Sequence, residues 1–547
     1  MKWSVLRIPL IMIILMIGSS FIGTVYATEN SERVNAAEPE KVGNSSTHSI
    51  MGKAGNGNDE NPGEWYTGET PSDVDENDPI LLFIAGMNGK AQDWWEDNDM
   101  YNTAYEAGYQ TSFLQLYDAG GASADMWDNG ELLAEKIIEI SDHFGGKQIT
   151  IIAHSKGGVD AQTALTYYDA WPYVDNVITL SSPHHGTPLA DLANSFWAGW
   201  LADLLGMQGE GTYVMQTGYM EDFRSRTAGE PEAGKANYYT LGGTSWGSAF
   251  SATWFGGVYL SPYGSNDGVV TLASSALPEG EQIASGDWDH SSIRTGITFP
   301  EFQGYLQGNQ QQGKSQLGKR TVAKNDLPSN RFVSGGPLER EVKETIHIPI
   351  EQHVDQVTLN LIAAQDLTDV SLINPAGEAV EHRVHTVQTN EAYFPGARHY
   401  SITLDQPEAG EWEFDLLSAA DNAYLLMTDF ETEADNGLTM HLNKKVSDQS
   451  QKLQLAYQLD VDGEKINEES LTATYHVVDS SHPENTDTWY VTERESLSQH
   501  ISLDQSDTIY NITIDLEGKT KAGDRFQRTF IDSIYTGKSL SDTDSMQ

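Results

Sequence analysis

Three residues could do chemistry together in this chain: a serine at the tip of a turn, an aspartate and a histidine, met in that order. Ser155 stands in Ala153-His154-Ser155-Lys156-Gly157-Gly158, directly after the run Ile149-Thr150-Ile151-Ile152. The run reads as a strand covered on both faces, and Val159 to Tyr168 read as the helix that follows. A serine on such a strand-to-helix turn is the G-x-S-x-G elbow, with Ala153 at the first glycine position. A serine hydroxyl is a weak nucleophile until a neighbouring base takes its proton. The turn exposes Oγ to that base and aims the Lys156 N–H at the oxygen of a bound carbonyl. Asp267, in Asn266-Asp267-Gly268-Val269-Val270, and His290, in Asp287-Trp288-Asp289-His290-Ser291, are the candidate acid and base. The chemistry these three imply is acyl transfer. His290 takes the Ser155 proton and later returns it to the leaving group, Asp267 orients and steadies the imidazole, and water releases the acyl group.

Other residues compete for these roles. His184 and His185 precede the acid in the chain and read as part of a structured loop near the site. His154 points inward from the elbow strand and reads as structural. Asp287 and Asp289 flank His290, but side chains so close in sequence rarely converge, which favours Asp267. The same carboxylates with His184 or His185 leave a structural Ca²⁺ or Zn²⁺ open, although no ligand spacing assigns one. The chemistry itself requires no cofactor.

The elements that must position these groups alternate. Ile80 to Ala85 read as a strand that ends in Gly86-Met87-Asn88-Gly89. Gln110 to Leu116 read as a second strand. Leu132, Leu133, Ile137 and Ile138 fall at helical spacing before the elbow strand. Val177 to Leu180 and Tyr238 to Leu241 supply further strands. Such alternation implies a mainly parallel sheet with helices on both faces.

With Ala153 to Gly158, Ser182-Pro183-His184-His185-Gly186-Thr187 and Asn266 to Val270 in view, the chain resembles bacterial lipases and esterases of the α/β-hydrolase superfamily. The resemblance runs from Ile80 to Phe299. It implies an oxyanion hole made by the backbone N–H groups of Met87 and Lys156, with Ala85-Gly86 standing where a histidine-glycine pair is common. It also implies a lid in Leu189 to Gly206, where Phe196, Trp197, Trp200 and Leu201 would border an acyl pocket. A plain core helix fits the same residues, because periodicity does not separate the two. The activity implied is carboxylic ester hydrolysis by a lipase or lipase-like esterase, on an ester or lipid substrate with possible contact to a lipid interface. A polyester depolymerase or thioesterase would use the same triad. A binding or adhesion protein with an inactive hydrolase domain is the rival from another class.

The rest of the chain bounds these readings. With 547 residues it is long enough for two to four domains. A formal net charge of −48 argues against nucleic acid as a partner. There is no cysteine, so disulfides and thiolate metal sites are excluded. Lys2 and Arg7, the apolar run Ile8 to Ile22 and Val25-Tyr26-Ala27 read as a signal peptide over 1–27, with Asn35-Ala36-Ala37 a weaker cleavage site. An uncleaved anchor is the alternative. These features point to a secreted, extracellular bacterial protein of Gram-positive type.

A flexible acidic segment is expected over 28–78, with Trp65 and Tyr66 packing on the domain edge, then the catalytic domain over 79–303 and a linker over 304–340, where Gly335, Gly336 and Pro337 break any periodicity. Beyond it, runs such as Thr345 to Ile350 and Val357 to Leu361 alternate at period two, which predicts all-β sandwiches over 341–432 and 433–537 before a tail over 538–547. Asn374-Pro375-Ala376-Gly377 and Gly410-Glu411-Trp412-Glu413-Phe414 resemble modules appended to bacterial secreted hydrolases. No ligand for them is legible.

Overall fold

The computed structural model describes residues 35–42, 60–120, 123–205, 209–249, 251–307, 326–381, 384–388, 396–432, 437–446, 453–492, 499–503 and 506–537. The expected signal peptide over 1–27, the tail over 538–547 and residues 308–325 of the expected linker lie outside them.

An eight-stranded sheet carries the candidate site. Its strands are β1 (Glu40–Lys41), β2 (Trp65–Thr67), β3 (Ile80–Ile84), β4 (Thr111–Leu114), β5 (Ile149–His154), β6 (Val174–Leu180), β7 (Asn237–Gly243) and β8 (Glu281–Gly286). Their spatial order is β1-β2-β4-β3-β5-β6-β7-β8. The run from β4 to β8 is parallel; β1 and β2 add antiparallel strands at one edge.

The helices between these strands are α1 (Met100–Glu106), α2 (Met126–His143), α3 (Lys156–Tyr167), α4 (Pro188–Ala193), α5 (Gly199–Leu204), α6 (Glu210–Val214), α7 (Thr217–Thr227) and α8 (Ala252–Leu260), with α9 (Phe299–Phe302) after β8. Strand alternation sorts the two faces. Ile80, Leu82 and Ile84 pack with Leu133 and Ile137 of α2 and Ala161 and Leu165 of α3. Leu81 and Phe83 point the other way, to Met100 and Tyr101 of α1 and Phe299 and Phe302 of α9. The elbow strand β5 is buried along its whole length, as its β-branched run requires.

The C-terminal half is all antiparallel. It comprises β9 (Asp326–Leu327), β10 (Arg331–Leu338), β11 (Glu344–Ile350), β12 (Gln356–Ala363), β13 (Asp369–Ile373), β14 (His385–Gln388), β15 (Arg398–Asp405), β16 (Gly410–Leu417) and β17 (Asn422–Glu431). It continues with β18 (Leu438–Val446), β19 (Leu453–Val461), β20 (Ile466–Asp479), β21 (Thr486–Val491), β22 (Gln499–Leu503), β23 (Ile509–Thr520) and β24 (Arg525–Tyr535). Sheets β10-β17-β12-β15-β14 and β11-β16-β13 share one core, in which Leu359 and Leu361 meet Trp412 and Phe414. Sheets β22-β19-β18-β9 and β21-β20-β23-β24 share another, around Tyr457, Tyr475 and Ile514.

A further apolar cluster joins the two halves. Leu189, Leu192, Leu201, Met215 and Phe223 of the α4–α7 region pack with Val333, Leu425, Ile531 and Tyr535.

Two expectations are corrected. The range read as linker contains β9 and β10. Gly335 and Pro337 break the sequence pattern, yet β10 is an edge strand, where a missing backbone donor is tolerated. Gly335 also takes the backbone of Trp197 so close that an added Cβ would lie 2.2 Å from its carbonyl oxygen. The N-terminal segment read as flexible is anchored where it is described. Glu40–Lys41, well ahead of Trp65 in the chain, pair with β2; Trp65, expected on the domain edge, is 1% exposed and donates to Glu139. Two short strands on a sheet edge leave too little periodicity to be seen in an acidic background.

Candidate active site

Ser155 lies between β5 and α3 with φ 53° and ψ −134°, a left-handed backbone value uncommon for a residue with a side chain. Held strain of this kind costs about 1–3 kcal/mol and persists only when its surroundings over-determine it. Two glycines supply those surroundings. A Cβ on Gly86 would fall 2.6 Å from Ser155 Cβ, and one on Gly158 would fall 2.1 Å from Ser182 Oγ. The first brings the loop after β3 against the serine; the second lets α3 close onto the loop after β6.

The three residues expected to act together meet. His290 Nε2 is 3.1 Å from Ser155 Oγ, and His290 Nδ1 is 2.7 Å from Asp267 Oδ2. The other carboxylate oxygen, Oδ1, accepts from the N–H groups of Val269 at 2.9 Å and Val270 at 2.7 Å. Asp267 is therefore locked from behind and presents one oxygen to the imidazole. A carboxylate oxygen accepts, so Nδ1 carries the proton and Nε2 offers its lone pair to the serine. The backbone adds a further tie, since His290 N–H donates to the Asp267 carbonyl at 3.0 Å.

His154 holds His290 from the strand side. Its Nε2 lies 2.8 Å from the His290 carbonyl, which can only accept, so Nε2 is protonated. Burial, then the neighbouring His290 and Arg294, hold the His154 imidazole well below its ordinary range, hence neutral. The rival residues are occupied elsewhere. His184 is buried against Thr179 Oγ1 at 3.2 Å, and Asp289 caps the N–H groups of Ser291 and Ser292. Among the described residues, the carboxylates that converge are those of Asp125, Asp128 and Glu210, so His184 or His185 with Asp287 or Asp289 form no ligand set there. Asp125 is already the N-cap of α2.

The two expected oxyanion donors flank the serine. Lys156 opens α3, where helical N–H groups have no intrahelical acceptor. Met87 follows Gly86, and no backbone carbonyl among the described residues takes its N–H. The Lys156 side chain, only 1% exposed, runs inward between Asp118 and Asp160. Burial alone would pull its ammonium down, but the two carboxylates more than offset this and raise it. Burial pushes Asp160 up to about 7 against the pull of Lys156. Asp118 and Asp160, the partners of Lys156, and Asn129, which donates to both carboxylates, are not evident in the sequence.

The four residues expected at a lid lie beneath or beside the C-terminal strands. The Phe196 ring stacks on His476 with centroids 3.8 Å apart, and Trp197 Nε1 donates to Asp515 at 2.9 Å. Leu201 is fully buried in the shared apolar cluster, and Trp200 is 60% exposed. Helix α6 connects this cover to the site. Thr212 Oγ1 lies 3.6 Å from Met87 Sδ, and the Tyr213 hydroxyl accepts from Ile509 N–H at 3.2 Å. Ser155 is 7% and His290 4% exposed.

Residues 120–197, which include the elbow, match the PGAP1-like alpha/beta domain family. No curated protein matches significantly. Bacillus licheniformis lipase BlEst2 in its propeptide form is 32% identical, with a TM-score of 0.75, over 87% of this chain and 98% of that one. The mature form of the same lipase is 44% identical over 45% of this chain and 100% of that one, with a TM-score of 0.43. The metagenomic carboxyl esterase MGS0156 is 20% identical over 43% of this chain and 77% of that one, with a TM-score of 0.36. The long, shared span with the propeptide form of the Bacillus licheniformis lipase means that this chain belongs to the same lipase/esterase-like α/β-hydrolase family.

Proposed function

We propose that this chain hydrolyses carboxylic esters through a Ser155 acyl-enzyme, with His290 as the base, Asp267 as its orienting acid and the Met87 and Lys156 N–H groups as the oxyanion hole. One observation carries the reading: a continuous relay from Asp267 through both nitrogens of His290 to a strained serine. His290 takes the Ser155 proton as Oγ attacks the carbonyl, and the two N–H groups receive the charge that develops on oxygen. The proton then passes to the leaving alcohol, and a water activated by His290 cleaves the acyl-enzyme.

The substrate class is that of a lipase or lipase-like esterase. Support comes from the apolar cluster that joins Met87, the proposed oxyanion donor, to Val159, Leu189 and Val269, the kind of lining that suits an acyl chain. Hydrolysis of p-nitrophenyl esters of increasing chain length tests this. A rise in kcat/KM toward long chains is expected of a lipase. A maximum at short chains supports an esterase, and no turnover at any length favours a binding protein. A polyester depolymerase or thioesterase would be separated by its own substrate. The chain is further proposed to be secreted, on the strength of its N-terminal charged and apolar pattern.

The C-terminal sheets are proposed to act as a removable cover. The relative matched over most of this chain was crystallised in a propeptide form. In this chain, α4–α7 bridge the catalytic sheet and the C-terminal strands, and Ser155 is 7% exposed.

Asp191 gives that cover a pH dependence. Its Oδ1 accepts from Ser533 Oγ at 2.6 Å and Thr217 N at 3.0 Å, its Oδ2 accepts from Thr217 Oγ1 at 2.7 Å, and its carbonyl accepts from Asn511 Nδ2 at 2.7 Å. Burial, and then Asp532, push its carboxyl up to about 7, against the hydrogen bonds from Ser533 and Thr217. Uncovering Asp191 returns it to the ordinary range near 3.8. The covered state therefore holds the proton more tightly. Its stability is complete below that range and falls as pH rises to 7. With the chain cut once within residues 308–325, dissociation of the C-terminal part is expected to increase between pH 5 and 7 and to level above it. Asp191→Asn should flatten the profile, and a flat wild-type profile would contradict the account.

A further inference from the structure

We propose that Asp118 is a positioning residue that holds the two halves of the oxyanion hole in register. The inference rests on the Ser155 reading and extends it to a side chain that touches no substrate. One Asp118 oxygen, Oδ1, accepts from the Asn88 N–H at 3.4 Å; the other, Oδ2, lies 3.3 Å from Lys156 Nζ. Asn88 follows the Met87 donor, and Lys156 is the second donor. A single carboxylate thus spans the two chain segments whose N–H groups must converge on one oxygen.

Several features keep that carboxylate in place. Asp118 is 2% exposed and sits in the helical turn Tyr117–Gly120 after β4. Asn129 of α2 is fully buried and keyed to it. Its Oδ1 accepts from the Tyr117 N–H at 3.1 Å, and its Nδ2 donates to Asp118 Oδ2 at 2.5 Å and to Asp160 Oδ2 at 3.1 Å. Asp160 closes the set with contacts of 2.9 Å and 3.0 Å to Lys156 Nζ.

The Asn88 backbone needs such a hold. Its φ of 58° is left-handed, a value asparagine tolerates better than most residues but still an uncommon one. The energetics point the same way. A buried ion pair is poor value as a stability device, because its desolvation penalty rivals its attraction, and apolar packing of the same volume often does as well. Its geometric directionality is what apolar packing lacks. Oxyanion donors work only when fixed before charge develops, so small displacements act on the transition state and spare substrate binding.

Asp118→Asn tests this with little change of shape. The asparagine oxygen can still accept from Asn88, but its amide then faces the Lys156 ammonium and the Asn129 amide, donor against donor. With a p-nitrophenyl ester, kcat is expected to fall about 10²-fold, the scale of one lost oxyanion donor. KM should stay within about twofold. A boronic acid inhibitor, which forms a tetrahedral adduct on serine, should weaken by the same factor as kcat. A purely structural role would lower the melting temperature without this parallel loss. An unchanged kcat, or a fall in kcat with inhibitor affinity unmoved, overturns the proposal. If Asp118→Asn does not fold, Asn129→Ser loosens the same carboxylate from its far side. That variant is expected to lose about tenfold in kcat and in inhibitor affinity together, and no loss overturns the proposal. Ser155→Ala separates the two claims: turnover retained there defeats the triad itself, whatever Asp118 does.

Discussion

Replacing Ser155 with alanine is expected to lower kcat on a p-nitrophenyl ester by about 10⁶-fold while the protein keeps its fold. The size follows from what the hydroxyl does. In the proposed mechanism its oxygen is the atom that bonds to the acyl carbon, and its proton is the one received by His290, whose Nε2 lies 3.1 Å away. Without it, the site can at best position a water, and what survives is the smaller contribution of the oxyanion donors and substrate binding. Stability should hardly move. Alanine keeps the Cβ that contacts Gly86, and the lost hydrogen bond is worth about 1 kcal/mol. Steady-state kinetics with a thermal melt on the same sample checks both. Retention of more than a few per cent of wild-type kcat would contradict the account.

Asp267→Asn is expected to cost about 10⁴-fold in kcat with KM nearly unchanged, the scale seen when the equivalent acid of a serine protease is amidated. The argument is one of donors and acceptors. Asp267 Oδ1 is claimed by the N–H groups of Val269 and Val270, so the asparagine oxygen must stay there. Its NH₂ then faces His290 Nδ1 in the place of Oδ2, which lies 2.7 Å away in the wild type. Nδ1 becomes the acceptor, the ring proton moves to Nε2, and the imidazole presents a donor to the serine where a base is needed. Kinetics at fixed pH measures this. A loss below tenfold would mean that another carboxylate orients His290.

Much of this was readable before any coordinates. Ile149 to Ile152 were legible as a buried strand because a parallel central strand needs apolar residues on both faces. Ser155, Asp267 and His290 were legible because each stands in a turn-forming context in a fixed chain order. The inward side of the elbow was not. Asp118, Asn129 and Asp160 come from a turn and two helices, and sequence spacing says nothing about their forming one cluster with Lys156. Met87 could be named only through resemblance, since an ordinary glycine-bearing loop looks the same.

The C-terminal half divides in a similar way. Its period-two runs declared strands, but Arg331–Leu338 escaped because an edge strand accommodates glycine and proline. The aromatic stretch Phe196 to Leu201 was ambiguous between lid and core for a physical reason. Its partners, His476 and Asp515, lie far along the chain, and amphipathic periodicity reports only that a face is covered, never by what.

The central claim is that Ser155 Oγ is the atom that becomes acylated. The most direct measurement is mass spectrometry of the peptide containing Ser155 after the protein, cut within residues 308–325 and freed of its C-terminal part, reacts with a p-nitrophenyl alkylphosphonate, which traps an activated serine as a tetrahedral adduct. The account predicts one adduct per chain, on Ser155, formed in step with loss of esterase activity and absent from Asp267→Asn over the same interval. Activity lost through an adduct on another residue, or esterase turnover that persists with Ser155 fully modified, would contradict it.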